Sequence, residues 1–297
     1  MHPFIDFKNA TPLVLIAGAT IFALGIGTAA TADGSNPNAI GDDVLATPRA
    51  TVADFNNDGH PDYVLRNAGT RGTAIWYLNN NILLGGSLGP TIPTGWLLKS
   101  VADFNQDSHP DYALFNAGND GTAIWYMSGP TFIDSAFGPS LPDGWELIET
   151  GDFNNDGFPD YVLYNSSTRK TAIWYLNDNI RVGTAFGPNI PAGWSVVGIS
   201  DFDADGHDDY LLFNFANHQT AIWYLSGPTL IRGAFGPTIT TGWNLVATAD
   251  FNNDGHPDYL LYNTVSRQTA IWYLNNNVFI GAALGPALPA GWSLVGP

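Results

Sequence analysis

Acidic and amide side chains recur in a nine-residue motif of this chain. Its first copy, residues 54–62, reads DFNNDGHPD and places side-chain oxygens at positions 1, 3, 5 and 9. Ca²⁺ is bound by about six to eight oxygen atoms, and the glycine at position 6 permits the sharp turn of a calcium loop. We therefore predict that this motif binds calcium, with the backbone carbonyl of position 7 as a further ligand.

The motif occurs five times, and we name the copies loops 1 to 5 in chain order. Because position 7 is a phenylalanine in loop 3, its side chain is not an essential ligand, which disfavours a histidine zinc site. The predicted ligands, with position 7 contributing its carbonyl, are Asp54, Asn56, Asp58, His60 and Asp62; Asp103, Asn105, Asp107, His109 and Asp111; Asp152, Asn154, Asp156, Phe158 and Asp160; Asp201, Asp203, Asp205, His207 and Asp209; and Asp250, Asn252, Asp254, His256 and Asp258.

Metal-free turns capped by Asp and Asn are the alternative interpretation of these loops. The loops hold more than half of the 27 acidic residues, and so many carboxylates would repel one another without a cation. We therefore expect about five Ca²⁺ ions, one per repeat. Loop 2 carries Ser108 in place of the glycine at position 6, and it is the predicted weakest site.

The loops belong to a larger repeat. Equivalent residues such as Asp54 and Asp103 lie 49 residues apart in every copy, without insertion or deletion. Each copy contains four runs of β-forming residues separated by polar turns, which is the composition of a propeller blade. The sequence therefore predicts an all-β, five-bladed β-propeller of five four-stranded repeats over residues 47–297.

Closure of the ring is predicted from the two ends of the repeat region. The last copy stops partway through a unit, after residues 291–297, and residues 47–53 stand where the same strand would be completed. We expect terminal strands to join the first and last blades. Because the two segments overlap in register, one of them would be left over and free to pair with another subunit.

At this point the sequence resembles a known family. The D-F-N-x-D-G-x-x-D loop, followed by D-Y-x-L and I-W, is similar to the FG-GAP/VCBS repeats of bacterial surface proteins and of the integrin α-subunit propeller. Residues 137–139, 186–188 and 235–237, each Phe-Gly-Pro, resemble the FG and GAP elements of that family. The resemblance covers residues 47–297 and implies a β-propeller with a calcium loop in each blade.

The resemblance also has a departure and a limit. The usual ring of the family has seven blades of longer repeats, whereas this sequence has five compact repeats. The family includes adhesion, lectin-like and structural members, so membership does not specify a ligand.

The N-terminal region differs from the repeats. Residues 12–32 are apolar and uncharged, and their length suits a helix that crosses a bilayer. Residues 1–32 are therefore predicted to be either a retained anchor or assembly helix, or a signal peptide cleaved after Ala32. Residues 33–46 form a polar linker. Both interpretations place the propeller outside the cell or on its surface.

Composition excludes several function classes. The chain has 10 Lys and Arg against 27 Asp and Glu, a net charge of −17, so a basic nucleic-acid-binding surface is excluded. It has no cysteine, which excludes disulfides, zinc–thiolate sites and cysteine nucleophiles. The sequence also lacks the common catalytic motifs, and we expect a protein that is not an enzyme.

Two tryptophans occur in every repeat. Those equivalent to Trp76 are predicted to fill the core between blades. The others follow Pro- and Gly-rich turns and could either pack or stack against sugars. These candidate ligand-binding residues are Trp96, Trp145, Trp194, Trp243 and Trp292.

Two function hypotheses follow. The first is a calcium-loaded structural subunit of a cell-surface or filamentous homopolymer, joined through the N-terminal helix or the terminal strands. The second is a secreted lectin-like or adhesion module that binds surface glycans after removal of its leader.

Overall fold

The computed structural model describes residues 52–295. The predicted N-terminal helix and the linker lie outside the described residues, as do residues 47–51 and 296–297. All regular structure in the described part of the chain is β-strand. Accordingly, no helix within residues 52–295 is long and apolar enough to cross a membrane.

The strands form five antiparallel blades. The first blade contains β1 (Val52–Ala53), β2 (Asp62–Asn67), β3 (Gly72–Asn79) and β4 (Ile82–Thr91), and the second contains β5 (Leu97–Ala102), β6 (Asp111–Asn116), β7 (Gly121–Ser128) and β8 (Thr131–Phe137). The third contains β9 (Glu146–Gly151), β10 (Asp160–Asn165), β11 (Lys170–Trp174), β12 (Leu176–Asn177), β13 (Ile180–Arg181) and β14 (Ala185–Asn189).

The fourth blade contains β15 (Ser195–Ser200), β16 (Asp209–Asn214), β17 (Gln219–Ser226) and β18 (Thr229–Phe235), and the fifth contains β19 (Asn244–Ala249), β20 (Asp258–Tyr262), β21 (Gln268–Asn275) and β22 (Val278–Ala287). The last strand, β23 (Trp292–Leu294), returns to the first blade. The predicted five-bladed propeller of four-stranded repeats is therefore confirmed. In the third blade alone, the two outer strands are each split into two pieces.

Strand position within a blade explains the residue pattern. The second strand of each blade, such as β6 with the sequence DYALFN, is almost wholly buried because neighbouring blades cover both of its faces. The fourth strand lies at the outer edge, and in β22 exposed and half-buried residues alternate along its length. The first strands of successive blades contact one another around the ring, and β19 contacts β1.

Both ends of the described chain complete the first blade. Val52 and Ala53 of β1 pair with Tyr63 and Asp62 of β2. The last strand, β23, pairs with residues 65–67 of β2. Just beyond β23, the Val295 amide donates to the carbonyl of Val64 at 2.8 Å. Within the described residues, the two terminal segments share one strand position of the first blade, as expected for ring closure. The residues in which the segments would overlap lie outside the described part of the chain, so the left-over segment stays a prediction.

Each blade is held to the next by a tyrosine. Tyr161 at the start of β10 is fully buried and lies edge-to-face against Phe104 of the preceding blade, with ring centroids 6.1 Å apart. Its phenol oxygen reaches Gly138, where an added Cβ would lie 3.1 Å from Tyr161 Oη and 2.5 Å from Thr122 Oγ1. The glycine of the Phe-Gly-Pro element is therefore needed for the close approach of two blades.

Candidate metal centre

Each loop is folded around its first aspartate. In loop 1 the amide of Gly59 donates to Asp54 Oδ2 at 2.7 Å, and the amide of Asp58 donates to Asp54 Oδ1 at 3.2 Å. Loops 2 to 5 repeat both bonds. Position 1 thus curls the backbone by holding the amides of positions 5 and 6.

The position-9 aspartate is buried beneath the loop. Asp62 is 0% exposed, and its two oxygens accept hydrogen bonds from the amides of Phe55 and Leu78, each at 3.0 Å. It therefore ties the start of loop 1 to β3. Burial raises the pKa of the Asp62 carboxyl to about 7; the two amide donors oppose this rise, and the nearby carboxylates Asp54 and Asp58 add to it.

The other four position-9 aspartates have the same environment. Each is fully buried, accepts two backbone hydrogen bonds, and has its pKa raised to about 7 chiefly by burial. Such a group is costly to ionise alone, and a bound cation would favour the charged form. These residues are Asp111, Asp160, Asp209 and Asp258.

Position 7 enters the loop through its backbone. The His60 amide donates to Asp58 Oδ1 at 3.0 Å, and the Phe158 amide makes the equivalent bond to Asp156 Oδ1 at 2.9 Å. Because histidine and phenylalanine make the same bond, the loop does not depend on an imidazole. The ligand role of the position-7 carbonyl stays a prediction.

The donor chemistry of the loops fits a hard cation. Positions 1, 3, 5 and 9 offer only carboxylate and amide oxygens, as calcium prefers. In loop 4, Asp201, Asp203 and Asp209 each offer a carboxylate oxygen within 4.8 Å of the other two. Asp203 Oδ1 is buried and has no hydrogen-bond partner. An ion held there would neutralise the clustered carboxylates and join the two ends of the loop.

The backbone at position 6 explains the preference for glycine. Gly59, Gly157, Gly206 and Gly255 have φ between +87° and +90°, in the left-handed region that side chains disfavour. Ser108 adopts φ +70° at the same position of loop 2 and keeps the hydrogen bond to Asp103, at 2.8 Å. Loop 2 therefore has the same fold as the others, but with backbone strain.

The five candidate ligand-binding tryptophans are all half-buried at the start of their blades. In blades two to four each faces a phenylalanine of the outer strand, with ring centroids 6.2 to 6.4 Å apart. In blade two, Trp96, Trp125, Ser135 and Phe137 line an open cleft of about 210 Å³. In blades five and one, the repeat position of this phenylalanine is occupied by Leu284 and Leu88.

The tryptophans equivalent to Trp76 were predicted to fill the core between blades, and the structure confirms this only in part. Trp76 and Trp174 are buried, at 3% and 6% exposure. Trp125, Trp223 and Trp272 are only half-buried, although each packs against a core cluster between two blades.

Two features of loop 4 were not anticipated from the sequence. Arg232 of β18 forms an ion pair with Asp203 at 2.7 Å. Asp208 replaces the proline at position 8 of the other loops, and it accepts a hydrogen bond from the amide of Asp152 in the preceding blade at 2.8 Å. Both features could have been noticed by aligning the five repeats, because Arg232 and Asp208 each differ from the residues that the other copies have at that position.

Comparison with protein families agrees with the repeat geometry. A model of the FG-GAP-like repeat matches residues 103–163, 152–212 and 201–261, which together are more than half of the chain. The chain belongs to the FG-GAP-like repeat family. Each match begins at position 1 of a loop of this FG-GAP-like protein and ends within the second strand of the next blade. The search of curated proteins found no match.

Several solved structures are similar to this FG-GAP-like chain at low identity. A protein of unknown function from Bacteroides caccae is 14% identical, with a TM-score of 0.43 over 75% of this chain and 72% of that one. A member of the DUF4221 family from Bacteroides vulgatus is 10% identical, with a TM-score of 0.46 over 80% and 82%. The Photorhabdus luminescens Tc holotoxin pore is 15% identical, with a TM-score of 0.45 over 83% of this chain but 12% of that chain.

Proposed function

We propose that this FG-GAP-like propeller is a non-enzymatic, calcium-loaded structural module that acts as an assembly subunit of a polymer outside the cell or on its surface. The observation that carries the proposal is the shared geometry of the five loops. In all five, the position-1 carboxylate curls the backbone and the position-9 carboxylate is buried beneath it. Positions 1, 3, 5 and 9 would hold one ion in each blade.

The loop chemistry favours calcium over other metals. The donors are oxygens, and the absence of cysteine removes the thiolates that zinc sites use. Magnesium keeps several of its waters and rarely uses cages made only of protein ligands. Extracellular calcium modules bind weakly, with dissociation constants of about 10⁻⁴ to 10⁻³ M, so loops of this kind suit a calcium-rich extracellular setting.

A ring of exposed aliphatic side chains supports contact between subunits. One position at the outer edge is aliphatic in every blade and 56% to 63% exposed. Unpaired outer strands can pair with other chains, and exposed aliphatic side chains along such an edge would favour that pairing. The residues at this position are Leu84, Ile133, Val182, Ile231 and Ile280.

A non-enzymatic role accords with the burial of the titratable groups. The buried aspartates at position 9 are engaged with backbone amides, and the tyrosines equivalent to Tyr161 are fully buried between blades. Both sets therefore serve the fold rather than a cleft that a substrate could enter.

The second candidate function is carbohydrate binding, which the aromatic cleft of blade two favours. Trp96 and Phe137 line the cleft, with Phe137 78% exposed, and Ser135 supplies a hydroxyl. Aromatic faces combined with a few polar groups are typical of small-molecule sites. This function would suit a secreted adhesion module.

The deciding experiment combines metal analysis with electron microscopy of the full-length protein. We expect bound calcium at close to one ion per repeat, and filaments whose formation requires calcium and residues 1–46. The absence of bound calcium would contradict the metal proposal. Calcium-loaded single particles that bind immobilised glycans would favour the second candidate instead.

A further inference from the structure

Loop 4 differs from the other loops at position 3. Loops 1, 2, 3 and 5 have asparagine there, and its side-chain nitrogen donates to the position-5 carboxylate at 2.9 to 3.1 Å. In the same loops, the asparagine oxygen accepts from the position-5 amide at 3.0 to 3.2 Å. The asparagine side chain is therefore satisfied at both ends. Loop 4 has Asp203 at this position. Its predicted ligand positions 1, 3, 5 and 9 therefore hold four carboxylates, where those of each other loop hold three.

The two oxygens of Asp203 have different surroundings. Oδ2 accepts from Arg232 Nη2 at 2.7 Å, whereas Oδ1 is buried with no hydrogen-bond partner. A buried carboxylate oxygen without a partner is unfavourable in the metal-free loop. Because Asp201 and Asp209 offer oxygens within 4.8 Å, an ion at that point would relieve this cost.

Arg232 is fixed in place by a second contact. Its guanidinium carbon lies 3.5 Å from the centroid of the Tyr224 ring, which positions the charge by a cation–π interaction. The equivalent residues in the other four blades are three glycines and an aspartate, Asp134. The extra carboxylate of loop 4 and the arginine beside it thus occur together, in one blade of the five.

We propose that loop 4 is the tightest ion site of the ring and that Arg232 limits its affinity by acting as an internal counter-ion to Asp203. The inference rests on the proposed binding of calcium by the loops and concerns the regulation of one of them. A fourth carboxylate raises the affinity of a calcium loop. The positive charge of Arg232 beside that carboxylate repels a divalent ion and removes part of this gain. It removes only part, because the Arg232 side chain is 51% exposed and solvent screens its charge.

Calorimetric titration of the full-length protein with Ca²⁺, after removal of bound metal, tests this inference. We expect one ion to bind more tightly than the rest. Arg232→Gln removes the positive charge but keeps an amide that can donate to Asp203, and it should tighten this first site by about tenfold. Asp203→Asn gives loop 4 the side chain of the other loops, and it should abolish the separate tight site.

Arg181→Gln is the matched control. Arg181 lies over Trp174 at 4.2 Å, as Arg232 lies over Tyr224, and it makes no ion pair within residues 52–295. Its loss changes the net charge equally and should leave the first site unchanged. In the double variant Asp203→Asn/Arg232→Gln, the gain from Arg232→Gln should be absent.

The outcomes separate the two proposals. If the wild-type protein takes up no calcium, the proposed function fails. If calcium binds but the tight site persists in Asp203→Asn, or Arg232→Gln leaves the first site unchanged or weaker, the function stands and this inference is overturned. Unfolding curves of each metal-free variant identify any that does not fold, and either single variant alone is enough to overturn the inference.

Discussion

Phe251 of the fifth blade lies edge-to-face against Tyr63 of the first, with ring centroids 6.2 Å apart and an interplanar angle of 82°. The pair has nearly the same geometry as Phe104 and Tyr161, which join blades two and three. The interface that closes the ring is therefore built like the interfaces inside it. Five blades form a closed ring because the fifth meets the first with the contact used between consecutive blades.

Gly138→Ala should destabilise the protein by about 1–3 kcal/mol, as overpacking of a well-packed interior does. The new methyl group would lie 2.5 Å from Thr122 Oγ1 and would push Tyr161 out of its interface. The control is Gly85→Ala, since an added Cβ there meets nothing within 4 Å. Urea unfolding measures both, and equal stability of the two variants would contradict the role of the glycine.

Ser108→Gly should stabilise the protein by up to about 1 kcal/mol, because glycine tolerates the positive φ that serine holds here. Gly255→Ser is the converse change, and it should destabilise by a similar amount, since its φ is +87° and an added Cβ would meet no atom within 4 Å. Thermal unfolding gives the comparison. If the Ser108→Gly variant is less stable than the wild type, the contacts of the serine stabilise the loop by more than its backbone strain destabilises it.

Asp156→Ala should destabilise the protein more in calcium than in chelator. In the metal-free loop it removes the hydrogen bonds from Phe158 and Asn154, and in the loaded loop it also removes a ligand. Asp143→Ala, in an exposed turn, removes the same charge and is the control. For each variant, the fall in melting temperature relative to the wild type is measured once in calcium and once in EGTA. If Asp156→Ala lowers the melting temperature equally in both, this would count against metal binding in loop 3.

The metal-free ring should lose stability as the pH rises from about 4 to about 7. Burial raises the pKa of the five position-9 aspartates from 3.8 to about 7, so in this range the folded state binds more protons than the unfolded state. The stability that these protonated aspartates contribute is fully present below the pKa of the unfolded state. It is lost as the pH rises through the pKa of the folded state. Calcium should reduce this loss because it favours the charged carboxylates.

Calorimetry at pH 5 and pH 7.5, with EGTA and with calcium, measures this effect. A metal-free protein that is more stable at pH 7.5 than at pH 5 would contradict the prediction.

Local patterns in the sequence were sufficient to predict the blades and the loops. The spacing from Asp54 to Asp62 is a property of nine consecutive residues, and the 49-residue period repeats it without interruption. Strand order within a blade follows from the short turns. The family assignment rested on the same local motifs and is confirmed.

Contacts between distant residues could not be predicted in this way. The ion pair of Asp203 and Arg232 joins residues 29 positions apart, and it depends on the side of β18 to which the arginine points. The meeting of Tyr161 with Gly138 depends on how closely two blades approach. The sharing of one strand position by the two terminal segments was predicted from the sequence, but the residue at which each segment stops pairing was not.

The pairing of β1 has a mechanical consequence. If the propeller were pulled through the chain that precedes it, the tension would reach β1, where Val52 pairs with Tyr63 and Ala53 pairs with Asp62. Asp62 is also the buried carboxylate beneath loop 1, and its oxygens hold the amides of Phe55 and Leu78. Force on a tethered subunit would therefore reach loop 1 before any other loop, and an ion bound there, as proposed, would hold β1 against that force.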